Sequence, residues 1–319
     1  MMGQGLHVLA LAGGVGGAKL AAGLAHLLGE RLTVLVNTGD DFEHLGLHIS
    51  PDLDTVMYTL AGIANPETGW GVAGESWAIM DQIGRLGGPT WFRLGDRDLA
   101  THAVRTGRLA RGDTLTAITA DLCRALNVKA TVLPMTDDRM RTIIHSGQDT
   151  LPFQDYFVRL QCAMPVDCLS FDGAEHASFN KALDAIDSNR LAIVICPSNP
   201  YLSIDPILAL PGLRSWIEKC GAPVVAVSPI VSGAAIKGPA AKIMRELGIQ
   251  PSAAAVARHY QKLIDGFIID DADAASEEEI ARLGLAVRAT RTIMRTHHDR
   301  INLACDCLAL AEALITKKG

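Results

Sequence analysis

Residues 6–36 constrain the fold more than any other stretch of this chain. Leu6-His-Val-Leu-Ala-Leu-Ala12 is a continuous apolar run, Gly13-Gly-Val-Gly-Gly17 interrupts it, apolar residues recur at helical spacing from Ala18 to Leu28, and Leu32 to Val36 is apolar again. A strand with one wet face would alternate; these do not, so each must be covered on both sides. A strand, a helix and a second strand of this kind predict a βαβ unit in a parallel sheet between helical layers. Leu191–Ile195, Pro223–Val227 and Gly266–Asp270 repeat the signal, each followed by a polar or Gly/Pro loop and a helical stretch. The expected fold class is therefore α/β, a Rossmann-like, doubly wound and mainly parallel sheet.

From Thr131 to Asp172 the pattern changes. Thr142–His145, Tyr156–Val158 and Val166–Ser170 read as short strands broken by Gly147, Pro152 and Pro165, which predicts a small antiparallel insertion. No linker or charge run isolates it. The expected organisation is one compact unit over 1–319, with a core from 1–130 and 173–319 and a subdomain at 131–172.

Composition narrows the function. Aromatic residues are 5% of the chain and the net charge is −6, a poor match to a nucleic-acid platform, which needs stacking rings and the opposite sign. No apolar segment nears the roughly 20 residues of a membrane span, and Leu6–Ala12 lacks the flanks of a signal peptide. The seven cysteines are scattered without CxxC pairs, as expected for reduced, mostly buried thiols of a cytosolic protein.

Several polar clusters follow the expected strands. The Gly13–Gly17 turn, Gly13, Gly14, Gly16 and Gly17 above all, should offer free N–H groups to a phosphate at the positive end of a helix. It is neither a full dinucleotide fingerprint, since Lys19 stands where the third glycine belongs, nor a Walker A loop. Lys19 adds a point charge. Asp40 and Asp41 follow the second strand; Ser50 is a natural N-cap and Pro51 a natural first residue for a helix whose first turn holds Asp52 and Asp54. Four acids so placed would repel one another unless a cation such as Mg²⁺, or an incoming hydroxyl, offset them. Arg93 and Arg97 follow a short expected strand, while Ser198-Asn199 and the loop from Ser228 to Lys237 bring hydroxyls and N–H groups to the same edge. His297-His298 tempts as a metal site, but neighbours on a helix point apart, and Asp299 is expected to cap that helix.

The order Gly-Gly-Val-Gly-Gly-Ala-Lys, Asn-Thr-Gly-Asp-Asp, Ser-Pro-Asp-Leu-Asp-Thr-Val, Leu-Gly-Asp-Arg-Asp-Leu-Ala-Thr-His and Pro-Ser-Asn-Pro closely resembles the 2-phospho-L-lactate transferases of coenzyme F420 biosynthesis, over nearly the whole chain. The resemblance implies a dimeric, cytoplasmic, Mg²⁺-dependent enzyme. It would transfer a phosphorylated three-carbon acid from a guanosine-diphosphate adduct to the hydroxyl of the deazaflavin precursor FO, releasing GMP. It further implies that Asp54 and Arg93 contact FO and that the glycine turn, Ser198, Asn199, Ser228 and Lys237 face the nucleotide. On that basis Asp40 and Asp54, supported by Asp41 or Asp52, are expected to hold Mg²⁺ and orient the hydroxyl. Met57, Tyr58, Trp70 and Trp77 are the expected walls of the FO slot, with the insertion closing above. Phospholactate, phosphoenolpyruvate and phosphoglycerate remain open, as does the carboxylate that takes the proton. The rival reading is a regulatory protein that binds a nucleotide sugar on the same scaffold without chemistry; the acidic 50–55 block and Arg93 argue against it.

Overall fold

The computed structural model describes residues 5–318. Its centre is one sheet of β1 (His7–Ala12), β2 (Leu32–Val36), β3 (Thr131–Pro134), β4 (Leu191–Ile195), β5 (Val224–Val227), β6 (Gly266–Asp270) and β7 (Ala286–Thr290). In space the order is β7-β6-β5-β4-β1-β2-β3, and every pairing is parallel. The chain lays β1, β2 and β3 outward in one direction, returns to the other side of β1, and runs outward again. That reversal opens a crevice beyond the carboxyl ends of β1 and β4, where sheets wound this way bind ligands.

Four helices matter to the site: α1 (Gly14–Leu28), α2 (Pro51–Leu60), α3 (Asp96–Leu109) and α4 (His297–Lys318). Alternate residues of β1 feed two cores. Val8, Ala10 and Ala12 pack with Leu20 and Leu24 of α1, Leu53 and Val56 of α2, and Leu303 and Cys307 of α4. Leu9 and Leu11 face the opposite layer with Ile193, Ile195 and Ile243. Each fully buried Leu or Ile contributes about 1.5–3 kcal/mol. Small residues set the helix spacing: a Cβ on Gly23 of α1 would collide with the backbone carbonyl of Arg300 on α4.

Three expectations are corrected. Thr131–Pro134, assigned to the insertion, is the β3 edge of the main sheet; it is four residues long and ends on a proline, which an edge tolerates. The inserted sheet is thus Asp149–Pro152, Arg141–Ser146 and Cys168–Asp172, antiparallel in that order. Tyr156–Val158 is not a strand but part of a helical turn, Asp155–Arg159. Phe153 and Tyr156, three residues apart, both enter the core that holds Leu9 and Leu11, a helical spacing that the β-prone residue types concealed. Finally, the short strand expected directly before Arg93 is not formed; residues 86–95 are irregular. Among the described residues no helix is long and apolar enough to cross a membrane, and all seven cysteines are free.

Candidate functional site

The glycine segment is tighter than expected. Gly13 is extended at φ −158° and caps α1; Gly14 takes φ +62°, a region that only glycine enters freely. Val15 to Gly17 already form the first helical turn. The Ser198 hydroxyl accepts from Gly13 N–H at 3.1 Å and donates to the Gly13 carbonyl at 2.8 Å, stitching the β1 loop to the β4 loop. A Cβ on Gly16 would strike the Pro197 carbonyl oxygen, so only glycine allows this approach. The first N–H groups of a helix lack partners within it and carry its positive end. One of them, Gly14 N–H, donates to Asp52 Oδ1 at 2.8 Å. Lys19 Nζ donates to the Met294 carbonyl at 2.9 Å and Lys237 Nζ to the Thr68 carbonyl at 3.0 Å. Neither has a carboxylate partner among the described residues. Burial, then the charges of Lys237 and Arg300, push Lys19 below its usual value.

Around this corner lies a cleft of about 430 Å³. One wall carries Gly13, Gly14, Gly16, Lys19, Ser198, Asn199, Ser228 and Lys237, the other Asp52, Asp54, Tyr58, Phe92, Arg93, Asp98 and His102. Phe153, Gln154 and Phe157 of the insertion also line it, as does the exposed Trp70. Phe153 and Phe157 stack with ring centroids 5.3 Å apart. Both expected sides of the site therefore face one space. Gly17 lies behind the turn, against Ser198 Oγ and Ala12. Two expected walls do not reach the cleft: Met57 is buried in the α2 core, and Trp77 lies beneath Arg93, whose guanidinium carbon is 4.3 Å from the indole.

The four acids separate into different environments. Asp40 is 5% exposed, lines the cleft, and its Oδ1 has no partner. Burial first, then the charge of Asp52, raises its carboxyl well above the usual value. Asp52 accepts from Gly14 N–H and, at 3.0 Å, from Asn37 Nδ2, and burial still lifts it to about 6. Asp41 turns away: its Oδ2 takes the Ser50 hydroxyl at 2.8 Å and His48 Nε2 at 3.1 Å, and it faces a separate depression beside Arg141. Ser50 therefore stands at the N-cap position of α2 without capping it, its hydroxyl having been drawn to Asp41.

Asp54 differs again. Arg105 Nη1 reaches its Oδ2 at 3.0 Å and Arg105 Nη2 its Oδ1, a bidentate pair with both side chains buried. Burial raises the Asp54 carboxyl against the pull of Arg105. Asp54, Asp98 and His102 each bring a ligand-type atom within 4.8 Å of the others, but a guanidinium already seated on Asp54 opposes a second cation there. Arg105 also lies 3.3 Å from His102 Nδ1. Guanidinium has only donors, so Nδ1 is the acceptor and Nε2 carries the proton.

Sequence reasoning missed Arg105, Phe153 and Phe157. Arg105 had a usable signal: Asp98, His102 and Arg105 follow i, i+4, i+7 spacing on α3, one face of a helix. Asp299 does cap α4, its Oδ2 accepting from Thr296 N–H at 2.7 Å while Thr296 Oγ1 accepts from Asp299 N–H at 3.1 Å.

Comparison with known proteins identifies the family. Residues 8–303 match the family described as 2-phospho-L-lactate transferase CofD. The phosphoenolpyruvate transferase of Streptomyces griseus is 42% identical over 315 residues, covering 96% of this chain and 99% of the relative. Those of Thermobifida fusca and Mycobacterium avium are 41% and 38% identical, covering 89% and 91% of this chain and 91% and 94% of the relatives. Among solved structures, protein BH3568 of Bacillus halodurans, of the UPF0052 family, superposes with a TM-score of 0.61 at 15% identity, covering 95% of this chain and 98% of that one. That likeness speaks to the fold alone. With the sheet reversal, the glycine corner and the acidic wall all falling inside the matched span, the chain belongs to the CofD family and is a transferase of coenzyme F420 biosynthesis.

Proposed function

We propose that this transferase moves a phosphorylated three-carbon acid from its guanosine-diphosphate adduct to the terminal hydroxyl of FO, releasing GMP. The observation that carries the reading is the pairing, in one cleft, of a helix N-terminus and two lysines without carboxylate partners with a buried acidic wall. The name of the relatives supports phosphoenolpyruvate as the acid in this chain too. The nucleotide lies along Gly13–Gly16, Ser198, Asn199, Ser228 and Lys237, and the tricycle between Tyr58, Phe92 and Trp70, with Arg93 at its edge. Phe153 and Phe157 shield the pair from water.

Asp40 and Asp52 suit a hard divalent cation such as Mg²⁺. The Asp40 Oδ1 is buried without a partner, and the charge of Asp52 raises the Asp40 carboxyl. Asp54, clamped by Arg105, does not belong to the ligand set, and Asp41 faces elsewhere. Bound there, the ion would offset the charge of the diphosphate. In the transfer, an oxygen–phosphorus bond to the acceptor forms as the bridging bond to GMP breaks, and the acceptor hydroxyl gives its proton to a carboxylate of the acidic wall. Such transition states are loose, so positioning and charge neutralisation supply most of the rate. The α1 N–H groups and Lys19 hold the diphosphate, and Asp52, fixed by Gly14 and Asn37, keeps that corner rigid. The test is to incubate the protein with FO, Mg²⁺ and each of the three guanosine-diphosphate adducts in turn, separating products by chromatography. GMP and the phosphodiester joining the three-carbon acid to the deazaflavin are expected, fastest with the phosphoenolpyruvate adduct; no GMP from any of the three refutes the reading.

A further inference from the structure

The wall formed by α3 holds polar groups that the phosphate corner does not use. His102 is 1% exposed and lines the cleft, yet its Nε2 has no hydrogen-bond partner. It lies 3.3 Å from Asp98 Oδ1, within ion-pair reach but off hydrogen-bond geometry. Asp98 also lines the cleft and accepts the Tyr58 hydroxyl at 2.7 Å. Behind both, Arg105 fixes Asp54 through two bonds and fixes His102 through Nδ1. The result is a rigid pair at the cleft wall, a carboxylate acceptor with an unpartnered N–H donor buried beside it.

We propose that Asp98 and His102 bind the polyol chain of the acceptor, with Arg105 as the positioning residue that holds them. The inference rests on the proposed acceptor and specifies which part of it this wall reads. A hydroxyl both donates and accepts, and so completes Asp98 and His102 Nε2–H together. A phosphate would meet two carboxylates instead, and an aromatic ring would satisfy neither group. Position selects the polyol over the polar edge of the tricycle. Asp52 and Asp54 stand two residues apart on α2, their Cα atoms roughly 5 Å apart by helix geometry. Asp52 touches the phosphate corner through Gly14, and Asp54 touches His102 at 3.6 Å. The part of the acceptor beside this wall is thus the part next to the phosphorus, and the reacting hydroxyl ends the polyol. The tricycle then lies farther out, toward Phe92 and Trp70.

The test uses the full chain without donor, titrated with FO and, separately, with the same tricycle carrying a methyl group in place of the polyol, followed by ligand fluorescence. Wild type should bind FO at least about ten-fold more tightly than the methyl compound, the scale of one charge-assisted hydrogen bond. D98N should erase that preference by weakening FO while leaving the methyl compound within about two-fold. H102L, which removes the donor, should do the same and carries the comparison if D98N does not fold. Preference retained in the folded variants, or equal loss for both ligands, overturns the inference. Wild type binding neither ligand would instead refute FO as the acceptor.

Discussion

Replacing Arg105 with Met gives the sharpest test of how this site is built. Arg105 is among the largest fully buried side chains of the protein, and its partner Asp54 is 4% exposed. Met restores much of the volume, so the cavity contribution is small. What remains is a buried carboxylate without a counter-charge, which costs about 3–5 kcal/mol. His102 Nδ1 loses its donor as well, worth about 0.5–1.5 kcal/mol. Against the 5–15 kcal/mol typical of a folded protein this is a large fraction. Urea denaturation, followed by circular dichroism, should show a much lower midpoint for R105M. The D54L/R105M pair, which removes both charges, should recover most of the loss, because apolar replacement of a whole buried pair is often neutral. A loss below about 1 kcal/mol in R105M, or a double variant no better than the single, would refute the account. By the same reasoning, D54N would strand the Arg105 guanidinium, so part of any turnover lost in that variant would be lost fold.

Other variants probe other corners. D40N should lower turnover at least about 100-fold, roughly 2.7 kcal/mol of barrier, yet raise the melting temperature measured without Mg²⁺, since an amide escapes the burial that opposes ionisation of Asp40; a lower melting temperature would contradict the unpartnered carboxyl. G16A should destabilise by about 1–3 kcal/mol and weaken GDP binding by calorimetry, because its methyl meets the Pro197 carbonyl; unchanged affinity would mean the approach is not needed. The Thr296 bonds hold Asp299 below the usual carboxylate value, so its cap is complete above that value and lost as pH falls through the lower, folded one. The difference in melting temperature between wild type and D299N should shrink from about pH 5 to pH 3, and a gap that stays constant would dismiss the cap.

Much of the sheet was legible because strands buried on both faces must be apolar throughout. β1, β2, β4 and β6 lie where their runs of Val, Ile and Leu put them. β7 escaped notice because Ala286–Thr290 is half-exposed along its length and carries an arginine. In the site, the glycine corner and the serine and lysine loops were readable, since turns after parallel strands gather at one edge. Partnership was not. Asp40, Asp41, Asp52 and Asp54 look alike in sequence, and only contacts from residues 7 to 51 positions away — Ser50 and His48 on Asp41, Asn37 and Gly14 on Asp52, Arg105 on Asp54 — make them different.

The pairing of β1 with β4 also has a meaning in time. His7 lies beside Leu191, and Gly13 is stitched to Ser198. On a ribosome adding roughly 5–20 residues per second, the partner of β1 emerges about 10–40 s after β1 itself. Through that interval β1 can pair with β2 but keeps its other edge open, an apolar edge of the kind that recruits neighbouring chains. The glycine corner has no serine to hold it until then. The proposed nucleotide corner thus cannot form until the second half of the chain is made, and a chain stalled before Ser198 would be a sheet fragment with neither its corner nor its cover, a substrate for chaperones rather than a slow enzyme.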